Sequence, residues 1–204
     1  MPWLEAFLGR RCPVCGGPLD AVGVCRACRE ALVPERVGGA VYLARYPRVR
    51  GLVRAAKYRA HRRAALWVGE RLADRVAQTG WPIEAVACVP TLPWRAALRG
   101  GHLPAVLAGG LARRLGRPLY RGLVRTAYTP SQTRRAQRRR LPQVFAARGR
   151  PPAGVLLVDD VLTTGATFAR AAEALLEAGA STVWGAFLAV AEPDRLRRLP
   201  YRKV

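Results

Sequence analysis

Acidic residues are scarce in this 204-residue sequence: 13 Asp and Glu stand against 35 Lys and Arg, a formal net charge of +22. None falls between Glu84 and Asp159. The imbalance excludes a surface of evenly mixed charge and suggests acidic partners, either nucleic acid or a heavily phosphorylated substrate. Lysine is almost missing too. Lys57 and Lys203 are the only two, so the positive charge is nearly all arginine. No apolar run approaches the roughly 20 residues a membrane helix needs, so no membrane insertion is expected. The opening MPWLEAFLGR lacks the charged start and long apolar stretch of an export signal, and the expected location is cytoplasmic. No Ser/His/Asp or Cys/His set stands out, so covalent nucleophilic catalysis is not expected. What is present is enough apolar sequence, 50% of residues, to bury a core, which excludes a disordered chain. The length suits one ordinary domain with a small appendage.

Four of the five cysteines crowd into the first 28 residues as Cys12-x2-Cys15, nine residues, then Cys25-x2-Cys28. Two residues between sulfurs let both thiolates turn inward on one knuckle, and Gly16-Gly17 frees the backbone to bend. Two knuckles supply a tetrahedral sulfur set suited to structural Zn2+. Disulfides are the competing reading, disfavoured in a reducing cytosol. So short a segment has almost no core of its own, and the metal would supply most of its folding energy. A zinc module over 1–38 followed by a larger domain over 39–204 is therefore expected. Cys88, inside the apolar run 85–89, reads as a small core residue.

Residues 34–40 read as a linker. Strands are expected at 41–44, 83–89, 155–158 and 182–190. Helices are expected at 49–58, about 61–78, 104–115 and 167–178, with Gly179 at the last helix's end. Pro90, Pro93 and Gly100-Gly101 mark a long loop. Residues 192–204 read as a basic tail. Alternating strands and helices predict an α/β fold with a mostly parallel central sheet.

The informative segment is VLLVDDVLTTGAT at 155–167. A buried strand closes on the carboxylates Asp159 and Asp160. A short bend of hydroxyls and glycine then opens a helix. Ligands of open α/β sheets bind beyond the carboxyl ends of strands, and loop amides with a helix N-terminus make an anion cradle. Thr163, Thr164 and Thr167 add hydroxyl donors, and Gly165 lets the backbone approach a phosphate. The acid pair cannot bind phosphate, but it accepts hydrogen bonds from sugar hydroxyls and favours a nearby divalent cation. The segment asks for a phosphorylated sugar.

It resembles the 13-residue phosphoribosyl-diphosphate motif of type I phosphoribosyltransferases. The wider order is a four-cysteine module, Lys57-Tyr58, Val89-Pro90-x-x-Pro93 leading to Arg95 and Arg99-Gly100, Gln132 after Arg125-Thr126, then the motif. That order is similar to the ComF family, amidophosphoribosyltransferase-like proteins linked to DNA uptake in competent bacteria. The resemblance implies a type I phosphoribosyltransferase fold over nearly the whole chain. It implies that Asp159 and Asp160 hold the ribose hydroxyls of phosphoribosyl diphosphate, and that residues Thr163, Thr164, Gly165, Ala166 and Thr167 wrap its 5-phosphate. Val89, Pro90, Thr91 and Leu92 would meet the diphosphate through backbone amides, and Arg95 and Arg99 would neutralise it. Mg2+ would bridge diphosphate and ribose with few direct protein ligands. Lys57 is drawn toward the site by the same resemblance; a surface lysine is the alternative.

The sequence departs from the family where Gly101-His102-Leu103 follows Arg99-Gly100 in place of Phe-Asn-Gln. It departs again at Arg138-Arg139-Arg140-Leu141-Pro142-Gln143. Both positions bear on the second substrate, so an ordinary nucleobase acceptor or a glutamine-linked activity is not expected. With no cysteine at residue 2, no glutaminase domain is expected either. His102 has two readings, an acid near diphosphate or a structural loop residue. The stretch 121–150 holds nine arginines and no acid; it reads as a hood over phosphates, a nucleic-acid patch or a solvated face. Two functions therefore stand side by side. One is a Mg2+-dependent phosphoribosyltransferase of unknown acceptor. The other is a non-catalytic competence factor binding single-stranded DNA and other competence proteins; aromatics such as Tyr58, Trp94, Tyr120 and Tyr128 would stack bases or, as the alternative reading for at least two of them, pack in the core. An oligomer is compatible with either.

Overall fold

The computed structural model describes residues 11–19, 23–57, 62–91, 101–126 and 144–202. After the cysteine segment and its short helix α1 (Arg26–Ala31), the chain forms β1 (Glu35–Val37) and β2 (Ala40–Arg45). Helices α2 (Tyr46–Ala56) and α3 (Arg62–Ala77) lead to β3 (Ala85–Cys88), and α4 (Leu103–Leu115) follows. The short strands β4 (Leu123–Arg125) and β5 (Phe145–Ala147) pair antiparallel as a separate ribbon. Then come β6 (Gly154–Leu162), α5 (Ala166–Glu177), β7 (Thr182–Val190) and a 3-10 turn at Pro193–Arg198.

The central sheet has the order β1-β2-β7-β6-β3, with every pairing parallel except β1 with β2. The expected α/β fold with a mostly parallel sheet is what forms. Side chains alternate along a strand, so β6 feeds two cores: Leu156 and Val158 join α2, α3 and α4 on one face, and Val155 and Leu157 join α5 on the other. Each is fully buried, and each such side chain contributes about 1.5–3 kcal/mol of transfer free energy. Among the described residues no helix is long and apolar enough to cross a membrane.

Two expectations are corrected. Residues 35–37 are not linker but an edge strand, too short and too charged to show as one in sequence. It is held by the ladder to β2 and by Tyr42, whose hydroxyl donates to Glu35 Oε2 at 2.6 Å. Residues 192–202 are not a free tail. Leu196 is fully buried, Val183 N–H donates to Tyr201 C=O at 2.8 Å, and Tyr201 lies against Gly39. The arginines there hid an apolar anchor.

The cysteine segment packs on the main body. Cys12, Val24 and Leu32 belong to the same core as α2 and α3. Gly51 of α2 lies so close that a Cβ there would sit 2.1 Å from Pro13 C=O, and Arg48 donates to Ala31 C=O at 2.9 Å.

Candidate active site

Strand length builds the site. β3 pairs with β6 only as far as Cys88 opposite Val158, and Val89 N–H then donates to Val158 C=O at 2.9 Å. β6 runs on to Leu162 against β7. Asp159 and Asp160 therefore lie inside the strand and not at its end, as the sequence suggested; the long partner β7 keeps the ladder going. They also stand just past the point where β3 leaves, so a crevice opens beside them at the carboxyl edge, where open α/β sheets bind ligands.

A recess of about 110 Å³ occupies that crevice, with Asp159, Asp160, Thr167, Val89, Pro90 and Thr91 in its walls. Lys57, His102 and Arg125 close it from other elements. Lys57 caps the end of α2 and places Nζ 3.3 Å from Asp160 Oδ2. Asp160 N–H donates to Asp159 Oδ1 at 2.8 Å, and Val161 N–H to Asp160 Oδ1 at 2.7 Å. Burial pushes the Asp159 carboxyl well above the usual carboxylate range, and the neighbouring Asp160 pushes it the same way; the Asp160 amide and Lys57 oppose the shift. Cys88, below the acid pair, is half-buried rather than fully enclosed. Burial and Asp159 lift its thiol to about 11, so it stays protonated at neutral pH.

Beyond Leu162 the bend is open. Thr163, Thr164, Ala166 and Thr167 are exposed, while Gly165 is buried. Gly165 is the N-cap of α5 with φ +83°, the left-handed region that glycine enters freely, and a Cβ there would meet Leu199 at 2.9 Å. It offers no capping side chain, and α5 has no acid in its first turn. Ala166 N–H donates weakly to Thr164 Oγ1 at 3.4 Å, and the start of the 12-residue helix with its three exposed threonines offers donors suited to an anion.

Leu92, Arg95, Arg99, Tyr58, Trp94, Tyr128 and Gln132 lie outside the described residues, as does 127–143 of the arginine-rich stretch. Its flanks form the β4–β5 ribbon. From there Arg125 reaches the recess, 5.4 Å over the Phe145 ring. The sequence marks Arg125 only as part of the Arg125-Thr126 step in the family order and gives it no site role, because one arginine among nine carries no signal of where it will reach. His102, weighed there mainly as a structural residue, lines the recess with Nε2 buried and without a hydrogen-bond partner. Burial lowers its affinity for a proton, against the Val89 backbone and Asp160, which raise it. His102 also borders a second cavity of about 780 Å³ under α3 and α4, shared with Lys57, Gly101 and Leu103.

The four thiols of Cys12, Cys15, Cys25 and Cys28 lie within 4.8 Å of one another, all unpaired by disulfides. Cys15 and Cys25 Sγ are 3.5 Å apart. A tetrahedron of about 2.3 Å metal–sulfur bonds needs sulfurs about 3.8 Å apart, so the set fits one metal ion. Gly17 N–H donates to Cys15 Sγ at 3.4 Å and Cys25 N–H to Cys12 Sγ at 3.5 Å, the second-layer bonds thiolates need. The Gly17 amide leads in pulling the Cys15 thiol down to about 7. Around the acid pair the donors are oxygens. Asp160 already spends both of its oxygens on Val161 N–H and Lys57, which suits a hard cation carried by the ligand better than a protein-held one.

The fold is thus an α/β protein whose mostly parallel sheet carries an acid pair and an exposed, hydroxyl-lined bend on its carboxyl edge. Residues 98–199 match the phosphoribosyl transferase domain, and the chain belongs to that family. No curated protein matches it. Among solved structures it is similar to glutamine phosphoribosylpyrophosphate (PRPP) amidotransferase from B. subtilis complexed with ADP and GMP. That likeness has 26% identity over 68% of this chain and 27% of that one, with a TM-score of 0.42. It is similar also to a structure of the allosteric regulatory enzyme of purine biosynthesis, with 22% identity over 67% and 26% and a TM-score of 0.41. The chain spans about a quarter of the length of each.

Proposed function

We propose that the chain binds phosphoribosyl diphosphate in this recess and transfers the phosphoribosyl group to a nitrogen acceptor, as a ComF-like enzyme of the cytoplasm working in DNA uptake. The observation that carries the reading is the juxtaposition of Asp159 and Asp160 with the exposed Thr163–Thr167 bend on one strand's open edge. Asp159 and Asp160 accept hydrogen bonds from the ribose hydroxyls. The bend's amides and hydroxyls take the 5-phosphate. The Val89–Thr91 backbone faces the diphosphate, with Lys57 and Arg125 supplying positive charge; Leu92, Arg95 and Arg99, outside the described residues, are assigned to the same role from the sequence resemblance alone. The bond from C1 to the diphosphate oxygen breaks with its electron pair on the leaving group, the C1–N bond forms, and the acceptor nitrogen sheds a proton. Neutralising the leaving group and positioning both reactants are the chain's contributions. When bound with the substrate, Mg2+ adds charge neutralisation on the diphosphate. The cavity of about 780 Å³ beside His102 is where we place the acceptor. Zn2+ in the four-cysteine set has a structural role, since four sulfurs leave no open position.

Calorimetric titration with phosphoribosyl diphosphate and Mg2+ tests the reading. Wild type should give saturable heat and Asp159→Asn/Asp160→Asn none. Equal heats from both, or none from wild type, would remove it. The acid-free span from Ala85 to Val158 favours a second reading, a non-catalytic competence factor binding single-stranded DNA. Oligonucleotide anisotropy over a salt series, with affinity falling steeply as salt rises, is its expected signature.

A further inference from the structure

A third cavity lies along the outer edge strand β1. α3 runs back from the carboxyl edge, and its last turns bring Arg71 and Arg75 to the edge strand β1, where Arg36 completes a cavity of about 470 Å³. Among the described residues three buried side-chain nitrogens have no hydrogen-bond partner. One is His102 Nε2 in the recess; the other two are Nε of Arg71 and Nε of Arg75. Arg75 donates only to Gln78, at 3.0 Å, and Arg36 lies 5.9 Å over the Trp81 ring.

The two acids of this pocket are already engaged. Asp74 accepts from Arg114 at 2.8 Å, and Glu35 Oε2 accepts the Tyr42 hydroxyl at 2.6 Å. Arg71 and Arg75 are like charges one helical turn apart, which repel. Three arginines face these two acids, and Asp74 is shared with Arg114, so positive charge is in excess among half-buried guanidinium groups; a bound anion offsets that excess. Their planar forks match the oxygens of a phosphate. Beside them Val33 is 63% exposed, one of only two large hydrophobic side chains left open among the described residues. Charge on one wall and an apolar lip on the other specify a ligand with both characters.

We propose that this pocket binds a small phosphate monoester whose apolar or heterocyclic body rests on Val33 and Pro34. The proposal does not depend on the reading of the recess. Phenyl phosphate is the probe, because it carries one phosphate and one apolar ring but no sugar or diphosphate. It is titrated into the full chain in divalent-free buffer and followed by the NMR signals of the arginine Nε–H groups, assigned with Arg71→Gln and Arg75→Gln. The Arg71 and Arg75 signals should shift saturably, phenol should shift neither, and Asp159→Asn should titrate like wild type. Arg71→Gln/Arg75→Gln should weaken binding at least tenfold. That double variant should melt no lower than wild type in phosphate-free buffer, since it loses a repulsion, and should gain nothing from the probe. Absence of a saturable shift, equal shifts with phenol, or binding that survives in the double variant would overturn the proposal. So would a response to a single-stranded oligonucleotide alone, which would mark a nucleic-acid backbone surface.

Discussion

Lys57 Nζ stands 3.3 Å from Asp160 Oδ2, and the pair ties the end of α2 to the strand that carries the acid pair. Both side chains are mostly shielded, 31% and 20% exposed, so the contact is stronger than a surface ion pair. Lys57→Met should leave Asp160 without its partner and weaken phosphoribosyl diphosphate binding about tenfold, roughly 1.4 kcal/mol. Calorimetry on the variant checks this. An unchanged Kd would place Lys57 outside the binding set.

Asp159 predicts a trade between stability and binding. Its folded-state proton affinity is raised. The favourable contribution is therefore present below the ordinary carboxylate value and is lost as pH rises through the raised one. Burying this carboxyl therefore costs the ligand-free chain stability above the ordinary carboxylate range. Asp159→Asn should melt higher than wild type at pH 7, by roughly 2–4 °C for each kcal/mol relieved. The difference should vanish near pH 3.5, while ligand binding is lost. Scanning calorimetry across that pH range reads both limits.

For His102 the sign is reversed. Burial lowers its proton affinity, so its contribution to stability is present above about pH 6.5 and is lost as pH falls through the lowered value. His102→Asn should remove that acid-side loss, and the two proteins should converge above pH 7. Melting curves from about pH 5 to 7.5 check it.

The four-cysteine set should hold about one equivalent of zinc. Cys28→Ala should release it and expose the core shared by Cys12, Val24 and Leu32, at a cost of several kcal/mol. Cys88→Ala should keep the metal. Metal analysis with thermal melts distinguishes the two variants.

Gly165→Ala should cost about 1–2 kcal/mol for the left-handed φ alone, with more from the 2.9 Å approach to Leu199. Adding Leu199→Ala should recover the steric part and not the backbone part, so a double-mutant cycle separates them.

Much of this was legible in the sequence because the segment from Val155 to Thr167 packs strand, acids, hydroxyls and helix start into adjacent positions. What lay in long-range pairing was not. The extension of β6 through Asp159 to Leu162 depends on the length of β7, which no local pattern in β6 reveals. The first turn of α2, from Tyr46, lies before a kink at Val49, where the backbone leaves helical φ/ψ, so the regular spacing shows only from there on. β1 has three residues, two of them charged, and is a strand only because β2 and Tyr42 are there to receive it. Arg125 and His102 join the recess through tertiary placement.

Helix α2 has one further consequence. Gly51, pressed against the Pro13 carbonyl, and Lys57, which reaches Asp160, are six positions apart. The part of α2 past its kink at Val49 therefore touches the cysteine segment at Gly51 and the Asp160 carboxylate through Lys57. A disturbance of the cysteine knuckles should therefore be felt less than two turns along the helix, as a change in the contact between Lys57 and Asp160.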